Sequence, residues 1–294
     1  MESVSLTDEE DNKYSFKRYK GYPFIREVVG NVGDHLNAIS QLQCKSDDVL
    51  IGVFPKSGTH WLYNTVMMLR TGTLAYHGTP HLMEYQDISF VDNMSSPRTF
   101  GSHLRYRFLP EEMMRGKGKV ITITRDPKDI VVSVYHMIQA LGDVGYSGNF
   151  SGLLKRFFSE ESFWGNGSWF AWIKDMEEWK SKNLLCISYR EYKERPFETI
   201  KKLASFLELD HDETFLRAVE ENVRFKILKE NHITQTPASD RWKNITDDGR
   251  LPIYRKGVIG DWKNTFTVAQ SEWCDAHIKE KIKEFNLKLA VRYD

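Results

Sequence analysis

Val49-Leu50-Ile51-Gly52-Val53-Phe54 is a short apolar run, and Pro55-Lys56-Ser57-Gly58-Thr59 carries it into a helical stretch from His60 to about Arg70. The same strand, turn, helix order recurs twice. Val120-Ile121-Thr122-Ile123-Thr124, β-branched and strand-like, runs into Arg125-Asp126-Pro127-Lys128 and a helix through Ile130 to Ala140. Leu184-Leu185-Cys186-Ile187-Ser188 leads to Tyr189 and a helix from about Pro196 to Leu207. Apolar runs alternating with helices predict an α/β fold: a central parallel sheet flanked by helices, with a P-loop-like phosphate-binding strand-loop-helix. Ligands of such sheets sit at the carboxyl ends of the strands, where these three turns lie.

The 294 residues show no internal repeat, low-complexity tract or Pro/Ser-rich linker, which predicts a single domain over 1–294, with residues 1–20 as a flexible N-terminal segment. Trp164 to Trp179 reads as a buried helix and Cys274 to Leu289 as an amphipathic one. Poor periodicity between about Lys229 and Leu251 predicts a long loop or lid. Lys and Arg number 41 against 41 Asp and Glu, a balance that disfavours nucleic acid or a charged membrane surface as partner. No apolar stretch approaches the ~18 residues of a membrane span. The acidic start of the chain reads as no secretory leader. Three widely spaced cysteines, Cys44, Cys186 and Cys274, form neither a disulfide framework nor a metal pair, so a reducing, cytoplasmic setting is expected. On that basis the N-x-S/T matches at Asn93, Asn149, Asn166 and Asn244 are chance, and no metal is expected.

Two of the turns are built for anions. At the first, Gly58 lets backbone approach a ligand, the helix start offers free N–H groups, Ser57 and Thr59 add hydroxyls, and Lys56 adds a mobile cation. Lys56 precedes the glycine instead of following it, so the loop is not of the kind that hydrolyses ATP. At the second, Pro127 suits the first helical position with Asp126 as cap, Arg125 can fork two hydrogen bonds to a phosphate, and Ser133 lies further along the helix. Two anion-ready turns suit a ligand with phosphates at two separated places.

Pro55-Lys56-Ser57-Gly58-Thr59-x-Trp61 after a strand resembles the cofactor loop of the cytosolic sulfotransferases, which transfer sulfonate from 3′-phosphoadenosine 5′-phosphosulfate (PAPS) and leave adenosine 3′,5′-bisphosphate (PAP). The resemblance runs from Gly21 to Glu272. It implies that Lys56, Ser57, Gly58, Thr59 and His60 hold the 5′-phosphosulfate end and that Trp61 packs on adenine, with Tyr189 and Phe225 as further adenine contacts. Arg125 and Ser133 inherit the 3′-phosphate. So do Arg255, Lys256 and Gly257 of Arg255-Lys256-Gly257-Val258-Ile259-Gly260-Asp261-Trp262-Lys263, which resembles the family's R-K-G-x-x-G-x-W-K signature. Pro97-Arg98-Thr99-Phe100-Gly101-Ser102-His103-Leu104 matches the segment that supplies the general base, making His103 the catalytic base beside Lys56 and Ser133. A lone His is otherwise more often structural.

Two positions depart from the family pattern. His60 replaces a threonine, and Gly101 replaces a lysine thought to steady the transferring sulfonate, for which Arg105 or Arg107 is a candidate substitute. The resemblance therefore implies a PAPS-dependent sulfotransferase acting on a phenol, steroid or other lipophilic alcohol, with a non-catalytic or weakly active PAPS/PAP binder as the alternative. Phe24, Tyr85, Phe90 and residues of the 136–150 loop are expected to line the acceptor pocket. Lys263 to Glu272 fits the family's K-x-x-x-T-V-x-x-x-E dimerisation segment, implying a homodimer through 263–272.

Overall fold

The computed structural model describes residues 2–7, 12–25, 28–141, 146, 148–162, 164, 166–179, 181–239, 243, 246 and 248–288. The chain opens with an antiparallel sheet of β1 (Glu2–Thr7), β2 (Lys13–Tyr19) and β3 (Tyr22–Phe24), followed by α1 (Val32–Ser40). Then come β4 (Val49–Gly52), α2 (Thr59–Thr71), α3 (Ile88–Asp92), β5 (Thr99–Ser102), α4 (Glu111–Met114), β6 (Lys119–Thr124), α5 (Pro127–Leu141), α6 (Phe150–Phe158) and α7 (Trp169–Glu178). β7 (Leu184–Ser188), α8 (Tyr189–Glu194), α9 (Pro196–Phe206), α10 (Glu213–Asn222), α11 (Phe225–Gln235) and α12 (Val268–Glu284) complete it.

The central sheet is parallel, ordered β5-β4-β6-β7. Alternate residues of β4 and β6 face opposite layers. Leu50 and Val120 join a core with α1 and α5–α7, while Val49, Ile51, Ile121 and Ile123 join one with α2, α9 and α10. All of them are buried, the pattern required of a sheet covered on both faces. The fourth strand, β5, escaped the periodicity reading, because Thr-Phe-Gly-Ser is too short and too weakly apolar to announce a strand. It is fixed at its amino end by a buried ion pair, with Arg98 Nε and Nη2 donating to Asp48 Oδ1 and Oδ2 at 2.8 and 2.5 Å.

Three expectations need correction. Residues 2–7 and 13–19 form paired strands instead of a flexible segment, with Val4, Tyr14 and Phe16 buried; residues 8–11 lie outside the described ones. Arg156 donates to the Thr7 carbonyl at 2.7 Å and lies over the Tyr14 ring, tying the ribbon to α6. The supposed 136–150 loop begins as helix, since α5 runs to Leu141; residues 142–145 and 147 lie outside the described ones. Likewise the 229–251 stretch begins inside α11, which continues to Gln235, and 240–242, 244–245 and 247 lie outside the described residues. The three thiols are unbridged.

Candidate functional site

The carboxyl ends of all four parallel strands open on one cavity of about 470 Å³. β4 delivers Pro55, Lys56, Gly58 and Thr59, β5 delivers His103, β6 delivers Arg125, and Tyr189 follows β7. His60 and Trp61 reach it from α2, Ser133 from α5, Phe225 from the start of α11, and Arg255, Lys256 and Gly257 from the segment before α12.

The loop after β4 is shaped by left-handed backbone at Lys56 (φ 66°) and Gly58 (φ 116°). A side chain at Gly58 would also meet the Tyr189 ring at 3.2 Å, so the loop requires glycine there. Ser57 is buried with its Oγ unpartnered among the described residues. Arg125 donates to the Lys56 carbonyl at 2.9 Å and stacks over Tyr189 at 4.6 Å, which couples the first turn to the second and the third. Asp126 accepts from the Lys128 N–H at 2.8 Å, as its capping role requires.

The third anion segment is held from two sides. Asp129 on α5 accepts the main-chain N–H groups of Gly260 and Trp262 at 2.9 and 3.1 Å. Asp261 accepts Arg255 Nη2 at 2.5 Å, Lys256 Nζ at 2.8 Å and Asn264 Nδ2 at 3.0 Å. Burial pushes the Asp261 carboxyl up, but those three donors outweigh it and hold the group far below the usual carboxylate range. Arg255 still keeps Nε and Nη1 buried and unpartnered among the described residues, as Arg125 keeps Nε. Gly257 (φ 66°) lies so close to the Phe225 ring that an added Cβ would come to 2.2 Å.

The electrostatics of the pocket follow from this crowd of cations. Burial and the nearby charges of Arg125 and Arg255 pull the Lys56 ammonium down to about 8. Burial, with Lys56, His103 and His232 nearby, holds His60 well below imidazole's ordinary value, so the ring in the family's threonine position is neutral in the free protein. His103 Nδ1–H donates to the Val53 carbonyl at 2.7 Å, which leaves Nε2 as the free acceptor. Burial, opposed by that bond and aided by Lys56, brings His103 down to about 4.

The acceptor predictions divide. Tyr85 lines the cavity. Phe24 is fully buried against Phe108, and Phe90 is 45% exposed beside the His81 ring; neither lines it. Aromatic character alone fits a core position and a surface position equally well. Met137 and Leu141 of the 136–150 stretch line the cavity, and so do Ser15 of β2, Ile25 and Trp164. Neither arginine replaces the absent lysine: Arg105 and Arg107 both fork onto Asp175 of α7, at 2.5 to 2.8 Å. The space at Gly101 is filled by Leu82 and Pro80, which a Cβ would meet at 2.8 and 3.3 Å. Trp61 stacks on Tyr192 at 3.7 Å, while Lys193, absent from the sequence reading, lies over it and also lines the cavity. Among the described residues no cluster of three His, Cys, Asp or Glu could hold a metal ion, and no helix is long and apolar enough to cross a membrane.

Residues 46–286 match the family model of the sulfotransferase domain. The chain is similar to sulfotransferase 1B1 of Mus musculus, 31% identical over 293 residues covering 94% of each chain. It is also similar to sulfotransferase 1A1 of Rattus norvegicus, 30% identical with 92% of this chain and 94% of the other covered. Among solved structures, mouse sulfotransferase SULT7A1 complexed with PAP superposes with a TM-score of 0.75 at 28% identity, over 91% of this chain and 95% of that one. Retinol dehydratase, solved with androsterone and the inactive cofactor PAP, shares the fold with a TM-score of 0.78 at 19% identity, over 99% and 98% of the two chains.

Proposed function

The chain belongs to the sulfotransferase domain family, and we propose that it moves a sulfonate group from PAPS to the hydroxyl of a small lipophilic acceptor, with His103 as general base. One observation carries the reading. Four strand ends gather Lys56, His103, Arg125 and Tyr189 around one cavity, and Arg125 Nε and Arg255 Nε and Nη1 of its lining residues, with the buried Ser57 Oγ in the loop between Lys56 and Gly58, have no partner among the described residues. Orphaned buried donors are costly unless an anion completes them, and a nucleotide with 3′- and 5′-phosphates would do so at both places.

When bound, PAPS supplies an electrophilic sulfur joined through oxygen to a phosphate leaving group. The loop N–H groups, Ser57, Thr59 and Lys56 would hold its 5′ end, and Arg125, Ser133, Arg255 and Gly257 would hold its 3′-phosphate. Trp61, Tyr189 and Phe225 would flank its adenine. His103 Nε2 removes the acceptor's hydroxyl proton as its oxygen attacks. Lys56 and the helix start of α2 would stabilise negative charge at that phosphate. Apolar Ile25, Met137, Leu141 and Trp164 favour a lipophilic acceptor, with Ser15 and Tyr85 as polar contacts. A screen of phenols, steroids and aliphatic alcohols with labelled PAPS tests the proposal; label transfer is expected to at least one class. Tight PAP binding with no transfer to any of them would favour the non-catalytic binder.

A homodimer through 263–272 and a cytoplasmic setting belong to the same reading. Thr267 caps α12 in a reciprocal capping box with Gln270, which presents Val268 at 76% exposure, an apolar side chain poised to meet its own copy. Gel filtration is expected to give a dimer for the wild type and a monomer for Val268→Glu. A monomeric wild type, or a dimer indifferent to the substitution, rules this contact out.

A further inference from the structure

Glu84 is a buried carboxylate that the reaction above leaves unused. It lies in the short 3-10 turn Met83–Tyr85 and is 2% exposed. Its Oε1 accepts the main-chain N–H of His103 at 2.7 Å, and its Oε2 accepts the Ser102 hydroxyl at 3.0 Å. Ser102 Oγ in turn accepts the Leu104 N–H at 3.1 Å, so one carboxylate organises three consecutive residues at the end of β5. The turn is itself anchored, with Val29 N–H donating to the Glu84 carbonyl at 3.2 Å and His35 Nε2–H to the Met83 carbonyl at 2.8 Å. Glu84 and His103 also share the wall of a small cavity beside the main one.

We propose that Glu84 is a positioning residue for His103, its ionised carboxylate fixing the strand end and favouring the proton that the imidazole takes up during transfer. The proposal rests on the reading of His103 as the base. A positive charge developing on a half-buried ring is stabilised by a buried carboxylate far more than it would be in water. Ser102 and His103 donate to Glu84 from the end of β5, Tyr85 and Asn166 share the wall of the small cavity with it, and His35 of α1 bonds the neighbouring Met83 carbonyl. Among the described residues no lysine or arginine pairs with it. Burial therefore pushes its carboxyl up to about 7, against the pull of the His103 and Ser102 hydrogen bonds. The charge that assists His103 is thus present above neutrality and withdrawn as pH falls.

The test compares wild type with Glu84→Gln, which keeps shape and an acceptor oxygen but removes the charge. Wild-type kcat/KM is expected to fall as pH drops below about 7. Glu84→Gln is expected to lose that limb and about 10-fold in kcat at pH 8, the equivalent of one pK unit on the base, with PAP affinity unchanged. In the free wild-type protein the His103 ring protons should show an NMR step near 7, separate from the ring's own titration near 4, that vanishes in the variant. Ser102→Ala removes a donor to the ionised form, so it is expected to move both limb and step to higher pH. A limb near 7 that persists in Glu84→Gln, a missing NMR step, or a Ser102→Ala profile that does not move overturns the proposal. A wild type inert toward every acceptor but showing the step supports the Glu84–His103 coupling and counts against sulfonate transfer instead.

Discussion

Replacing His103 with alanine is expected to lower kcat for sulfonate transfer by about 10²–10⁴-fold, the usual contribution of a positioned general base, while the Kd for PAP stays within about twofold. An acceptor hydroxyl is a weak nucleophile until its proton leaves, and His103 Nε2 is prepared to take it. Nδ1–H is committed to the Val53 carbonyl, so the tautomer that presents a bare Nε2 to the cavity is fixed by the main chain just past β4. The ring is also held neutral: with its value brought down to about 4, it is unprotonated and base-competent throughout the physiological range. The substitution should leave the phosphate contacts alone, because the end of β5 is held through main-chain N–H and the Ser102 hydroxyl instead of through the imidazole. Rapid-quench transfer assays alongside PAP calorimetry check both halves. Near-wild-type kcat in His103→Ala would remove the base assignment, and a parallel loss of PAP affinity would recast His103 as a binding residue.

The parts of this fold that were legible in the sequence are those where local chemistry and global position agree. The turns after β4 and β6 follow buried apolar runs and carry anion-ready residues, so the sequence points to Lys56 and Arg125 at strand ends, while Tyr189 after β7 is assigned through the family resemblance. β5 was opaque because four residues at a sheet edge show no period. In the sequence it is marked by the motif around His103. The acceptor wall was opaque for a different reason. Phe24 and Phe90 were indistinguishable from pocket residues by type, and it is packing that sends one into the core and the other to the surface. Ser15 reaches the cavity from a ribbon whose alternating Val4, Tyr14 and Phe16 are interleaved with charge. Glu84 was the most readable of the missed residues, since an acid inside Leu82-Met83-Glu84-Tyr85 is a candidate for burial. Likewise the zero net charge conceals a local excess: Lys56, Arg125, Lys193, Arg255 and Lys256 converge on one cavity, and carboxylates elsewhere balance the sum.

The missing lysine makes the remaining one more consequential. Leu82 and Pro80 occupy the space beside Gly101, and Arg105 and Arg107 are spent on Asp175, so Lys56 is left as the mobile cation of the transfer site. Lys56→Ala is accordingly expected to cost about 10²–10³-fold in kcat, the range for deleting one preorganised donor at a developing negative charge. The pH dependence gives a sharper test. Burial and the cations Arg125 and Arg255 favour the neutral amine, bringing Lys56 down to about 8 in the free protein. The charged form that assists the leaving oxygen is therefore present below that value and lost above it, and kcat/KM should decline on the alkaline side with an apparent pKa near 8. Bound phosphates reverse the electrostatics and favour the ammonium, so the same limb in kcat should shift upward. Lys56→Arg, whose guanidinium stays charged, is expected to abolish the alkaline limb in both parameters even though its altered reach lowers the plateau. Retention of a limb near 8 in Lys56→Arg would mean that another group titrates there and that the lysine's charge does not govern departure of the phosphate.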